Sequence, residues 1–202
     1  MSQESVRPSL MGPPPSASGR RDAQRNATRV LDAASTIVGR CGAKALTMDA
    51  VADQAGVGKG TVFRRFGNRA GLMAALVDHI ERDLQERFMT GPPPLGPGAP
   101  PLDRLLAFGA ARLEIVAAQG PLMIEIGDVG RRFDVPAHTL ALTHVRLLLR
   151  ALEVDGDVEL LASALMAPLD PALVALQRER GMSLERLVAG WHDLVRRVVR
   201  VR

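Results

Sequence analysis

Apolar residues return every three or four positions along much of this chain, the period of a helix with one buried face. Ala27, Val30, Leu31, Ala34, Val38 and Cys41 make one such stripe and predict a helix from about Asp22 to Cys41, ended near Gly42. A second begins at Thr47, whose hydroxyl suits the N-cap position, with Asp49 in the first turn and Met48, Val51 and Ala52 on one side. Gly56 reads as a helix-ending residue that tolerates positive φ, and Lys59 to Arg65 as a further short helix after a tight turn. Leu72, Leu76, Ile80, Leu84 and Phe88, with Met73 and Val77 beside them, predict a long amphipathic helix over about 68–88.

The second half repeats the pattern with more interruptions. Helices are expected near 102–119, 121–128 and 136–153. Leu160, Leu161, Ala164 and Leu165 form a stripe that Pro168 and Pro171 interrupt and Leu173 and Leu176 resume. The last and most regular stripe, Leu184, Leu187, Val188, Trp191, Leu194, Val195 and Val198, predicts a helix from about Ser183 with Arg196, Arg197, Arg200 and Arg202 at its end. Two low-complexity stretches divide the chain. Residues 1–20 read as a disordered tail, and residues 90–101, with six prolines and three glycines, as an extended, semi-rigid connector. The resulting plan is a tail, an N-terminal module over 21–88, the connector, and a C-terminal module over 102–202.

Composition turns this pattern into a fold class. Apolar residues make up 47% and aromatics only 3%, with Leu and Ala supplying the bulk, which predicts an all-α protein. The single cysteine, Cys41, permits no intrachain disulfide, and neither a membrane span nor a signal peptide is evident, so a soluble cytoplasmic protein is expected. Charge separates the two modules. Residues 1–69 carry 11 Lys and Arg against 5 Asp and Glu, whereas residues 70–202 carry 15 against 17. A cationic region confined to one module is the footprint of a polyanionic partner.

The stretch AGVGKGTVFRRF, residues 55–66, raises two chemistries. Its GVGKGT resembles a phosphate loop and would make the protein a phosphotransferase using Lys59. That motif requires a preceding strand, a glycine at position 53 and Ser or Thr after the lysine. Asp53 and Gly60 stand at those places, and the preceding residues have a helical period. The same residues satisfy a helix-turn-helix: two short helices joined by a glycine-containing turn place the second in the DNA major groove. Gly58 and Gly60 then allow close approach, and Lys59, Thr61, Arg64 and Arg65 supply donors.

With these residues in place, the run from Ala23 to about Asp83 resembles the DNA-binding domain of TetR-family transcriptional regulators. The resemblance rests on TMDAVADQAGVGKGTVFRRFGNRAGL from Thr47: its threonine, the AGV turn, the GT pair, the aromatic Phe63, Phe66, and a basic residue then Leu at the next helix. It implies a homodimeric repressor on a palindromic double-stranded operator, answering to a small-molecule effector and using no cofactor. By position, Thr47 and Arg69 contact phosphate, and Lys59, Gly60, Thr61, Phe63, Arg64 and Arg65 lie on or beside the recognition helix. Phe63 stands where tyrosine is common, so its ring can pack on the backbone of DNA without donating a hydrogen bond.

The resemblance also places an effector cavity among the C-terminal helices, for which Phe108, Arg112, Met123, Ile126, His138 and His144 are the candidates. His138 and His144, six apart, lack the spacing of a helical metal pair, and no metal site is expected. The last two long helices are implied to pair across a dimer interface through Leu161, Leu165, Leu184, Leu187, Trp191, Leu194 and Val195.

Overall fold

A computed structural model describes residues 17–126 and 136–199. Among them nine α-helices and no strand are found: α1 Ala17–Cys41, α2 Met48–Ala55, α3 Lys59–Phe66, α4 Arg69–Thr90, α5 Pro101–Ile126, α6 Pro136–Ala151, α7 Val158–Met166, α8 Pro171–Glu179 and α9 Leu184–Val198. Their boundaries follow local chemistry. Asn68, Asp157, Asp170 and Ser183 each accept a backbone N–H at the start of α4, α7, α8 and α9, relieving the unpaired donors of a helix N-terminus.

Helix α5 is the axis of the fold. It packs on α1, α6, α8 and α9 and, along its whole length, on α4, and it buries Leu105, Phe108, Leu113, Val116 and Leu122. The closest approach is at Gly109, where a Cβ would stand 1.9 Å from the ring of Trp191. Only glycine fits there, and α9 is seated by that contact. Helix α5 is also the one described helix long and apolar enough to cross a membrane, but half of its most apolar window is buried against the others.

Three expectations change. The predicted break at residue 120 is absent, and α5 runs through Pro121. An interior proline costs about 3 kcal/mol, which burial of Gln119, Leu122 and Met123 on either side offsets. The Pro/Gly-rich connector is folded back rather than extended: Gly96 N–H donates to Pro92 O at 3.0 Å, Leu95 is buried, and Arg104 donates to the carbonyls of Phe88 and Leu95. The two modules therefore share a packed boundary, to which Gln119 adds bonds from its Nε2 to the Ser35 carbonyl and hydroxyl. Of the predicted tail, residues 17–20 belong to α1, while 1–16 lie outside the described residues, as do Arg200 and Arg202.

Candidate nucleic-acid interface

The turn between α2 and α3 is built by Gly56, which adopts φ 64° at the end of α2, a conformation that L side chains resist. Val57 N–H then closes onto Ala52 O at 3.0 Å, and Arg29 of α1 donates to Ala55 O at 2.9 Å. Val62 is the single fully buried residue of α3 and pins it against the module core of Leu46, Val51, Ala52 and Leu72. Phe66 at its end is half-buried against the same core, and the rest of the helix is pushed outward. Lys59, Gly60, Phe63, Arg64 and Arg65 are exposed and Thr61 half-exposed. The Phe63 ring is 48% exposed beside these cations.

Thr47 caps α2, its Oγ1 accepting from Ala50 N–H at 3.1 Å, which leaves the hydroxyl proton available to an outside acceptor. Lys59 lies 2.9 Å from Asp49, across the turn on α2. The Asp49 carboxylate, by hydrogen bond and charge, raises the Lys59 ammonium above its ordinary pKa.

Arg69 departs from expectation. Its Nε and one terminal nitrogen each donate at 2.8 Å, to Leu46 O and Ala43 O, and the other pairs with Glu125 of α5 at 2.7 Å. With every arm of the guanidinium engaged inside the molecule, this side chain ties the helix-turn-helix to the end of α5 instead of projecting toward phosphate. Arg69, assisted by the charge of Lys44, holds the Glu125 carboxyl below its usual range. Sequence spacing carried no sign of Asp49 or Glu125 as partners, because both contacts are made between helices.

The expected effector residues fall into two groups. Phe108, Met123 and His144 are buried, and Arg112 pairs with Glu81 of α4 at 14% side-chain exposure each. His144 stacks on Phe88 with ring centroids 4.3 Å apart and lies 5.4 Å from Phe108. Burial, with the Arg104 charge behind it, pushes its pKa down to about 4. His138 is lowered too, by burial first and by Arg112 second. Ile126 is exposed and stands apart from this cluster. The described cavity, about 480 Å³ and open to solvent, lies elsewhere, between α4, α5, α9 and the connector, lined by Arg87, Leu95, Asp103, Leu106, Glu114 and His192 among others.

The expected dimer residues divide as well. Leu165, Trp191 and Val195 are 0%, 2% and 0% exposed and belong to the subunit's own core; the most regular stripe of α9 thus faces α5. Leu161, Leu184, Leu187 and Leu194 are half-buried. Among the described residues of α6 to α9, the large apolar side chains left in solvent are instead Leu147 of α6, Leu160 of α7, and Leu173 and Leu176 of α8.

Two short helices, a left-handed glycine turn between them and a cationic outward face on the second define a helix-turn-helix protein. Residues 30–76 match the family of bacterial regulatory proteins, tetR family. A curated relative, an HTH-type transcriptional regulator BetI from Paraburkholderia phymatum, is 31% identical over 105 residues, 52% of each chain; the chain thus matches about half the length of that relative. Solved TetR-family or transcriptional regulators share the fold over nearly their whole length. One from Pectobacterium atrosepticum superposes at TM-score 0.65 with 19% identity, over 90% of this chain and 98% of its own. Another, from Saccharomonospora viridis in complex with choline, gives 0.66 with 16% identity, over 85% and 96%. The helix-turn-helix segment, residues 30–76, is thus similar to that of the tetR family, and the whole chain shares the fold of these regulators.

Proposed function

We propose that the protein is a ligand-responsive transcriptional repressor of the cytoplasm that binds a palindromic double-stranded DNA operator as a homodimer and catalyses no reaction. The observation that carries this reading is the outward face of α3: Lys59, Gly60, Phe63, Arg64 and Arg65 are exposed while Val62 alone is buried deeply. Gly60 lets the backbone approach the groove, Thr61, Arg64 and Arg65 donate to bases and phosphates, Lys59 exchanges Asp49 for a phosphate, and Thr47 donates from the end of α2. Leu160, Leu173 and Leu176, with half-buried Leu161, Leu184, Leu187 and Leu194, supply apolar surface for the second subunit. The choline bound by one structural relative favours a small-molecule effector. Such an effector must bind the DNA-incompetent state more tightly, by about 5.5 kcal/mol to move a 1:99 population to 99:1.

The phosphotransferase reading has little to stand on. Lys59 opens a helix that follows another helix, and its ammonium is held by a carboxylate. Selection of bound duplexes from random DNA tests the regulator reading. A recovered palindrome with half-sites about one helical turn apart is expected; failure to enrich any sequence overturns it.

A further inference from the structure

Helices α4, α5 and α6 pack on one another, and the seam between them holds more hydrogen-bonding capacity than it uses. Arg112 is paired with Glu81, yet its buried Nε has no acceptor. One turn earlier on α5, Phe108 meets the ring of His144, which is 7% exposed and whose Nε2 also has no partner. The surroundings are electropositive apart from Glu81: the charges of Arg112 and Arg104 both act to keep the histidines of α6 neutral. Arg104 is already committed to the carbonyls of Phe88 and Leu95 and Arg146 of α6 is paired with Glu159 of α7, which leaves Arg112 as the guanidinium beside these rings with a free donor. A planar guanidinium fork matches a carboxylate through two parallel bonds.

Resting on the effector-binding reading above, we propose that the effector is a small apolar acid whose carboxylate replaces that of Glu81 on Arg112, its apolar body lying against Phe88, Phe108 and the face of His144. An amine would have to take the place of Arg112 on Glu81 and would strand a buried guanidinium among groups already repelled by positive charge. An acid strands nothing comparable, because Glu81 sits on α4 and leaves the seam as that helix shifts. Glu81 is twelve residues from Arg69 on one continuous helix, about 18 Å along its axis. Its release therefore reaches the start of α4, against which α3 packs.

The test uses the full chain with straight-chain carboxylates of about four to ten carbons and the matching alcohols and amines as controls. Thermal shift and binding to the selected duplex are read together. Carboxylates alone raise the melting temperature and weaken duplex binding. Arg112→Gln abolishes that response, Arg112→Lys weakens it through loss of the fork, and Glu81→Gln tightens carboxylate binding about tenfold by removing the resident competitor. An equal response to alcohols or amines overturns the inference, as does carboxylate binding that Arg112→Lys leaves unchanged or Glu81→Gln weakens. Should Arg112→Gln fail to fold, the Arg112→Lys and Glu81→Gln arms still decide. A protein that binds its duplex and ignores every carboxylate ends this inference and leaves the regulator reading intact. Conversely, thermal shift reports acid binding even where no duplex is found.

Discussion

Helices α3 and α9 each end in a pair of arginines, but the two pairs have different surroundings. Arg197 of α9 meets Asp193 one turn back at 2.7 Å. Helix α3, KGTVFRRF, contains no acid at all, and Arg64 and Arg65 make no ion pair among the described residues. The aromatics contrast in the same sense: Phe63 is 48% exposed on α3, whereas Trp191 of α9 is 2% exposed against α5. A helix whose terminal arginines share an acid one turn back and whose ring points inward completes its own subunit. One whose terminal arginines have no acid beside them and whose ring points outward is built for something outside.

The strongest challenge to that contrast is at the inward helix. Trp191→Ala empties the space beside Gly109 and is expected to cost about 3–5 kcal/mol of stability, and Gly109→Leu forces side-chain atoms into the Trp191 ring at a cost of about 3 kcal/mol, both read by chemical denaturation. A loss below about 1 kcal/mol in both would mean that α9 is held by something other than this contact. The interior also carries its own titration. His144, at about 4 when folded and near the ordinary 6.5 when unfolded, stays neutral inside while the unfolded chain takes up a proton. Stability is therefore flat above pH 6.5 and falls as pH drops toward 4, by about 2–3 kcal/mol. In His144→Phe this component of the pH slope should disappear.

The outward face is probed by two arginines only five positions apart. Arg64→Ala should weaken duplex binding by about 1–3 kcal/mol and flatten its salt dependence while leaving stability intact. Arg69→Ala should do the reverse, costing about 2 kcal/mol of stability through its lost carbonyl bonds while leaving the salt slope unchanged. If Arg69→Ala alters the slope as Arg64→Ala does, the internal assignment of Arg69 is wrong. The smallest effect is expected at Asp49→Ala, which frees exposed Lys59 and should tighten duplex binding about two- to threefold, most visibly at low salt.

Much of this was legible in the sequence because it is encoded locally. Thr47 as a cap, Gly56 as a left-handed turn and the three- and four-residue stripes fix α1 to α4 within a few residues. What stayed hidden depends on which helix meets which. Leu165, Trp191 and Val195 show the same periodicity whether a stripe meets its own core or another subunit, and only the clearance at Gly109 decides. Arg69 has the composition of a phosphate ligand until two carbonyls and Glu125 surround it. Pro121 carries a helix-breaking signal that burial along α5 overrides, and the Pro/Gly-rich connector folds because Leu95 has an interior to enter.

The seat of Trp191 also has a spectroscopic meaning. The chain contains one tryptophan and no tyrosine, so its near-ultraviolet emission arises from a single indole shielded from water between α5 and α9. That emission is a built-in gauge of one contact, silent about events at α3 some distance away. Binding a duplex should leave its wavelength unmoved, while any ligand or denaturant that lifts α9 from α5 should shift it to the red.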